Sequence, residues 1–131
     1  MRISVFGQRS INDSATVTTK FDLVLAEYEK DHPITFVHGG AKGPQSILHD
    51  YLKDECDVVL FKPWTMISKK LSKQAMEGGS FDPVYFFFRN IQIVENSDLV
   101  IIFDNGEQDG EVYKVKNLCD KKGIKYVEVP V

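Results

Sequence analysis

Apolar positions along the chain gather into five short runs separated by stretches with helical spacing. The runs are Arg2–Phe6, Ile34–His38, Asp57–Phe61, Leu99–Phe103 and Lys125–Val129, all with β-branched or aromatic residues. The second to fourth show little polar alternation, which predicts strands covered on both faces. Between the first two, Ser14 is a candidate N-cap for a helix to about Lys30, with Phe21, Leu25 and Tyr28 on one face and Val24 beside them. Ile47, Leu48, Tyr51 and Leu52 form the stripe of a helix opened by Pro44. Val112, Val115, Leu118 and Cys119 form another, closed by Gly123. Strand and helix in alternation predict an α/β fold: a Rossmann-like, doubly wound, mostly parallel five-stranded sheet with helices on both faces.

Ligands of such sheets sit beyond the carboxyl ends of the strands. That singles out the tips Gly7–Ser10, His38–Lys42, Lys62–Thr65 and Asp104–Gly110. From about Thr65 to Val84 the rhythm breaks: Lys69, Lys70 and Lys73 crowd together, Gly78-Gly79-Ser80 interrupts, and Pro83 opens a helix containing Tyr85–Glu95. A single domain over residues 1–131 with an insertion at about 65–84 is expected.

Composition narrows the chemistry. A net charge of −3 disfavours a constitutive nucleic-acid binder. Cys56 and Cys119 are far apart and in no CxxC pattern, as free thiols of a reducing cytosol are. His32, His38 and His49 lack metal-ligand spacing, so neither a metal nor a cofactor is expected. No secretory h-region and no membrane-length apolar run is present, which predicts a cytoplasmic protein without a membrane partner. There is no Walker motif, GxSxG elbow or regular GxGxxG fingerprint.

Candidate ligand contacts cluster at the tips. In His38-Gly39-Gly40-Ala41-Lys42-Gly43-Pro44 a strand stops at two glycines and a helix begins, serving either as a steric hinge or as an anion cradle of free amides. Gly7-Gln8-Arg9-Ser10 adds a guanidinium suited to bidentate contact with phosphate or carboxylate, and a hydroxyl. Arg89-Asn90 follows the bulky run Tyr85-Phe86-Phe87-Phe88, so Arg89 either snorkels from the core or is held near the cleft. Trp64 is placed either to stack on a base or to cap the core. In Asp104–Glu111, Gly106 and Gly110 suit phosphate or ribose, while the acids suit hydroxyls or a base amine. Glu111 or Asp109 is the candidate general base, or both merely favour a helix N-terminus.

In this order the motifs resemble the SLOG superfamily of small Rossmann-like domains, in particular its YspA-like branch. The matches are Gly7-Gln8-Arg9, then Gly39-Gly40-Ala41-Lys42-Gly43-Pro44-Gln45, Trp64, Arg89-Asn90 and Ser97–Phe103, spanning nearly the whole chain. The resemblance implies a nucleotide or nucleotide-derived ligand at the strand tips, and a homo-oligomer. Arg9, the amides of Gly39–Gly43, Lys42 and Arg89 would hold phosphate, Trp64 would border base or ribose, and the Asp104–Gly110 tip would meet hydroxyls. The distantly related Lonely Guy branch cleaves nucleoside monophosphates at the N-glycosidic bond, using a Gly-Gly-x-Gly-Thr-x-x-Glu tip. Here Gly106 and Gly110 are too far apart, Glu111 stands at the Thr position and Lys114 at that of the catalytic Glu. The expected function is therefore a sensor or sequestering protein for a nucleotide-like molecule, with phage–host conflict as one setting. The alternative is a nucleotide N-glycosidase or deoxyribosyltransferase-like enzyme using Glu111 or Asp109.

Overall fold

The computed structural model describes residues 1–28, 33–61, 83–108 and 110–131, with side chains of 83–86 excepted. His32, Trp64, Asp109 and the Lys62–Thr65 tip lie outside the described residues, as does the expected insertion up to residue 82. Among the described residues there are five strands: β1 (Arg2–Gly7), β2 (Thr35–His38), β3 (Asp57–Leu60), β4 (Leu99–Asp104) and β5 (Lys125–Pro130). The described helices are α1 (Ser14–Ala26), α2 (Pro44–Leu52), α3 (Pro83–Glu95) and α4 (Gly110–Lys122). The sheet order is β3-β2-β1-β4-β5 and every neighbouring pair is parallel. This is the α/β, Rossmann-like architecture that the alternating pattern predicts.

The period of two along each strand builds two cores. Ile3, Val5, Leu99, Ile101 and Phe103 join Val17 and Phe21 of α1 and Leu48 and Leu52 of α2. Phe6, Val100 and Ile102 point to the other face, with Ile93 and Val94 of α3 and Val112, Val115, Leu118 and Cys119 of α4. On that second face Ser4 and Ser97 share a buried hydrogen bond of 2.8 Å between their hydroxyls.

Four local expectations change. Asp13, not Ser14, caps α1, accepting the Thr16 amide at 3.2 Å and the Thr16 hydroxyl at 2.8 Å. That helix ends at Ala26, because the Glu27 and Tyr28 amides reach back three residues to Val24 and Leu25 and tighten the last turn. β3 is covered only in part: it lies at the sheet margin, where Val58 and Val59 pack half-buried against the two cores while Asp57 and Leu60 are exposed. β1 is central and buried over Ile3–Phe6. Tyr51 belongs to no core; its hydroxyl donates to Asp22 Oδ2 at 2.6 Å and ties α2 to α1.

The chain runs outward from β1 to β3 and then returns to place β4 on the other side of β1. The carboxyl ends of β1 and β4 are thus the topological switch point, where open α/β sheets present their crevice. Among the described residues no helix is long and apolar enough to cross a membrane.

Gly7, at the end of β1, is fixed by close approach. A Cβ there would stand 2.7 Å from Pro44 Cγ and 2.9 Å from the Phe103 carbonyl oxygen. Gly7→Ala should lower the unfolding free energy by about 1–3 kcal/mol in urea titrations, because a ring and a backbone group must both shift. An unchanged midpoint would show that the β1 tip and α2 are not packed in this way.

Candidate functional site

Gln45, in the first turn of α2, organises the tip of β2. Its buried side chain accepts the amides of Gly39 at 3.0 Å and Ala41 at 3.2 Å, and donates to the Val5 carbonyl at 2.9 Å. The Gly40 amide donates to His38 Nδ1 at 2.9 Å. The amides of Gly39, Gly40 and Ala41, expected to face a ligand, therefore already have partners inside the fold. A side-chain amide placed six residues after Gly39 satisfies the turn from within. The donors left at this tip are those that any helix start presents. The first backbone bond of α2 runs from Ile47 to the Gly43 carbonyl at 3.1 Å, no side chain caps the helix, and its first turn carries no acid. Gly43 adopts φ +94°, which excludes other residues, and its missing Cβ lets the Gln8 carbonyl approach. The β1 and β2 tips are therefore in direct contact.

Gln8 performs the corresponding task between β1 and β4. Its Nε2 donates to Asp104 Oδ1 at 2.8 Å and to the Glu107 carbonyl at 3.3 Å, and its Oε1 accepts the Asn105 amide at 3.1 Å. The Ser10 hydroxyl donates to Glu107 Oε2 at 2.9 Å and accepts from Asn105 Nδ2 at 3.0 Å. The Gly106 amide, then Gln8, hold the Asp104 carboxyl below its ordinary range. Gly106, at φ +86°, makes the turn, and neither it nor Gly110 is crowded by other atoms. The two glycines are thus not packed against the rest of the site as Gly7, Gly39 and Gly43 are.

Arg89 does not snorkel. It is 2 % exposed and lies where a Cβ of Gly39 would be, its Cδ only 2.4 Å from that position. From there Nε and Nη2 donate to Asn90 Oδ1 at 3.2 and 3.0 Å, and Nη2 reaches Glu111 Oε1 at 3.3 Å. Asn90 Nδ2 donates to the same Glu111 oxygen at 3.0 Å. Burial lowers the affinity of Arg89 for its proton, Glu111 opposes that shift, and the nearby charge of Arg9 adds to it. Arg9 is exposed on the β1 tip and makes no hydrogen bond or ion pair among the described residues, while its charge is felt by buried Arg89. Lys42 is exposed on the neighbouring turn.

Next to the tips, α3 and α4 flank a groove of about 180 Å³ reached by Phe87, Asn90, Glu111 and Lys114. On the other face Ser10, Asn12, Asp13, Thr16 and Asn105 line a hollow of about 190 Å³. Among the described residues no cluster of His, Cys, Asp and Glu is arranged to hold a metal ion. Burial raises the Cys119 thiol to about 11, so it is unreactive as a nucleophile.

Gln8, Gln45 and His49 were absent from the expected site. The two glutamines stood inside the quoted glycine motifs, but nothing in a sequence shows that a side chain turns back onto its own loop. His49 follows Gln45 by one helical turn, and its Nδ1 lies 3.0 Å from Nε2 of buried His38. Because Gly40 donates to His38 Nδ1, the His38 proton sits on Nε2 and is given to His49.

Burial first, then the charges of His49 and Arg89, lower the His38 pKa from 6.5 to about 4. The unfolded chain therefore binds a proton at a higher pH than the folded one. Stability from neutral His38 is complete above about pH 6.5 and is lost as pH falls toward about 4. NMR titration of the imidazole nitrogens should show His38 still neutral at pH 6, whereas a midpoint near 6.5 would refute the buried-acceptor geometry. Gln45→Ala strips partners from two amides and a carbonyl and should lower stability by roughly 2 kcal/mol or more by chemical denaturation. A negligible loss would show that the turn does not depend on Gln45. No protein-family model, curated protein or solved structure matches this chain.

Proposed function

We propose that the carboxyl edge of the sheet binds a phosphate-bearing nucleotide or nucleotide-derived small molecule, and that the protein senses or sequesters it. The observation that carries this is the pair of exposed cations, Arg9 on the β1 tip and Lys42 on the β2 tip, beside a start of α2 that Gly43 presses against Gln8 and Arg9. An anion there would also offset the like charge that Arg9 presents to buried Arg89. The start of α2 strengthens the case: α1 opens on Asp13 and α4 carries Glu111 in its first turn, while α2 has neither a side-chain cap nor an acid there. Phosphate is thus drawn to α2, Arg9 and Lys42 rather than to the amides of Gly39–Ala41. The ordered motifs shared with SLOG domains support the same reading, and with it a homo-oligomer in the cytoplasm.

Mass spectrometry of small molecules released from the purified, heat-denatured protein should recover a nucleotide-like species. In calorimetry, Arg9→Ala should weaken nucleoside monophosphate binding by about tenfold or more, through loss of charge-assisted hydrogen bonds. A variant that binds as tightly as the parent would remove Arg9 from the site.

One observation favours a second reading, cleavage of an N-glycosidic bond. Glu111 is held by Arg89 and Asn90 at the edge of the groove, as a carboxylate that stabilises a developing cation or activates water must be held. Incubation with nucleoside monophosphates separates the two readings. Free base that appears with the parent chain and not with Glu111→Gln would establish the enzyme; intact nucleotide keeps the binder.

A further inference from the structure

We infer that the groove between α3 and α4 receives the base of the proposed nucleotide and selects bases that carry an amino group. This inference rests on the phosphate reading above. At about 180 Å³ the groove is smaller than the roughly 300–1,000 Å³ of pockets that enclose a whole drug-sized ligand, so it suits one ring system. Its walls combine the chemistries that a base requires. Val115 and Leu118 supply apolar surface, and Phe87, 40 % exposed, supplies an aromatic side chain at the rim.

The polar part is fixed before any ligand arrives. Arg89 and Asn90, 2 % and 6 % exposed, both donate to Glu111 Oε1, and the carboxylate they hold lines the groove. An ionised carboxylate accepts hydrogen bonds and cannot donate them, so the ligand edge it complements is one that carries N–H groups. Its charge also disfavours phosphate in the groove itself. Lys114 lies one helical turn further along α4 and offers donors to a ring nitrogen or carbonyl. Glu111 and Lys114 together match a heterocycle that has both an amine and an acceptor.

The groove is linked to the proposed anion site through Arg89. This side chain holds Glu111 on the groove wall, packs against the β2 tip at Gly39 and feels the charge of Arg9 on the β1 tip.

Calorimetry with ribose 5-phosphate, guanosine and inosine monophosphates, and adenosine and purine-riboside monophosphates separates the claims. The members of each nucleotide pair differ by one amino group. In at least one pair the amino-bearing member should bind about tenfold tighter or more, the ratio expected for a hydrogen bond to a charged acceptor. Glu111→Gln should abolish that ratio, whatever its effect on ribose 5-phosphate through Arg89. Phe87→Ala, at an exposed position, should weaken all four nucleotides without affecting ribose 5-phosphate; it carries the test if Glu111→Gln fails to fold. Equal affinities within both pairs would overturn the inference and leave the phosphate reading standing, provided that ribose 5-phosphate binds. Amino selectivity in nucleotides that Arg9→Ala does not weaken would overturn the phosphate reading and leave the groove assignment standing. No binding by any of the five overturns both.

Discussion

The guanidinium of Arg89, almost fully withdrawn from water, lies across Gly39 and donates to Asn90 Oδ1 and Glu111 Oε1. A buried charge is tolerated only when it is paired and hydrogen-bonded, and removing one partner of such a pair costs about 3–5 kcal/mol. The contacts therefore constrain three elements together. Gly39 must lack a side chain, α3 must hold Arg89 toward the β2 tip, and α4 must begin where Glu111 can meet it. The β2 turn and the groove wall are in this sense one mechanical unit, and a shift in either moves the charge that joins them.

Packing explains much of what the glycines at the strand tips do. Gly7 admits the Pro44 ring, Gly39 admits Arg89 and Gly43 admits the Gln8 carbonyl. Each of those demands exists with no ligand present. What remains for a ligand is the space that these contacts create: the start of α2 pressed against the β1 tip, with Arg9 projecting beside it. The expected anion cradle is thus not at Gly39–Ala41, whose amides belong to Gln45 and His38, and the proposed site lies a few residues away.

The alternation of apolar runs was enough to read the fold because a parallel strand and its crossover helix each leave their own period in the chain. Val112, Val115, Leu118 and Cys119 are all buried on α4, as their spacing demands. Edge status was not legible: Asp57–Leu60 and Leu99–Phe103 look alike as apolar runs, and only the sheet order exposes the first and encloses the second. The same limit applied to the site. Spacing placed Gly7, Arg9 and Gly39 at strand tips, because tips follow strands. The inward turn of Gln8 and Gln45, and the pairing of His38 with His49, depend on contacts between elements that no local pattern encodes.

The acidic tip shows how those contacts change an electrostatic reading. In the sequence, Asp104, Glu107 and Glu111 crowd the end of β4 as a run of acids. In the fold each carboxylate is turned to a donor of its own: Gln8 and the Gly106 amide for Asp104, Ser10 for Glu107, and Arg89 with Asn90 for Glu111. Hydrogen bonding does not erase their charge, but it fixes where that charge acts. Arg9 and Lys42, by contrast, stay exposed on the β1 and β2 tips. Exposed cations thus stand on the β1 and β2 tips beside the start of α2, and a carboxylate held by two donors stands in the first turn of α4. The proposed nucleotide reading rests on that division.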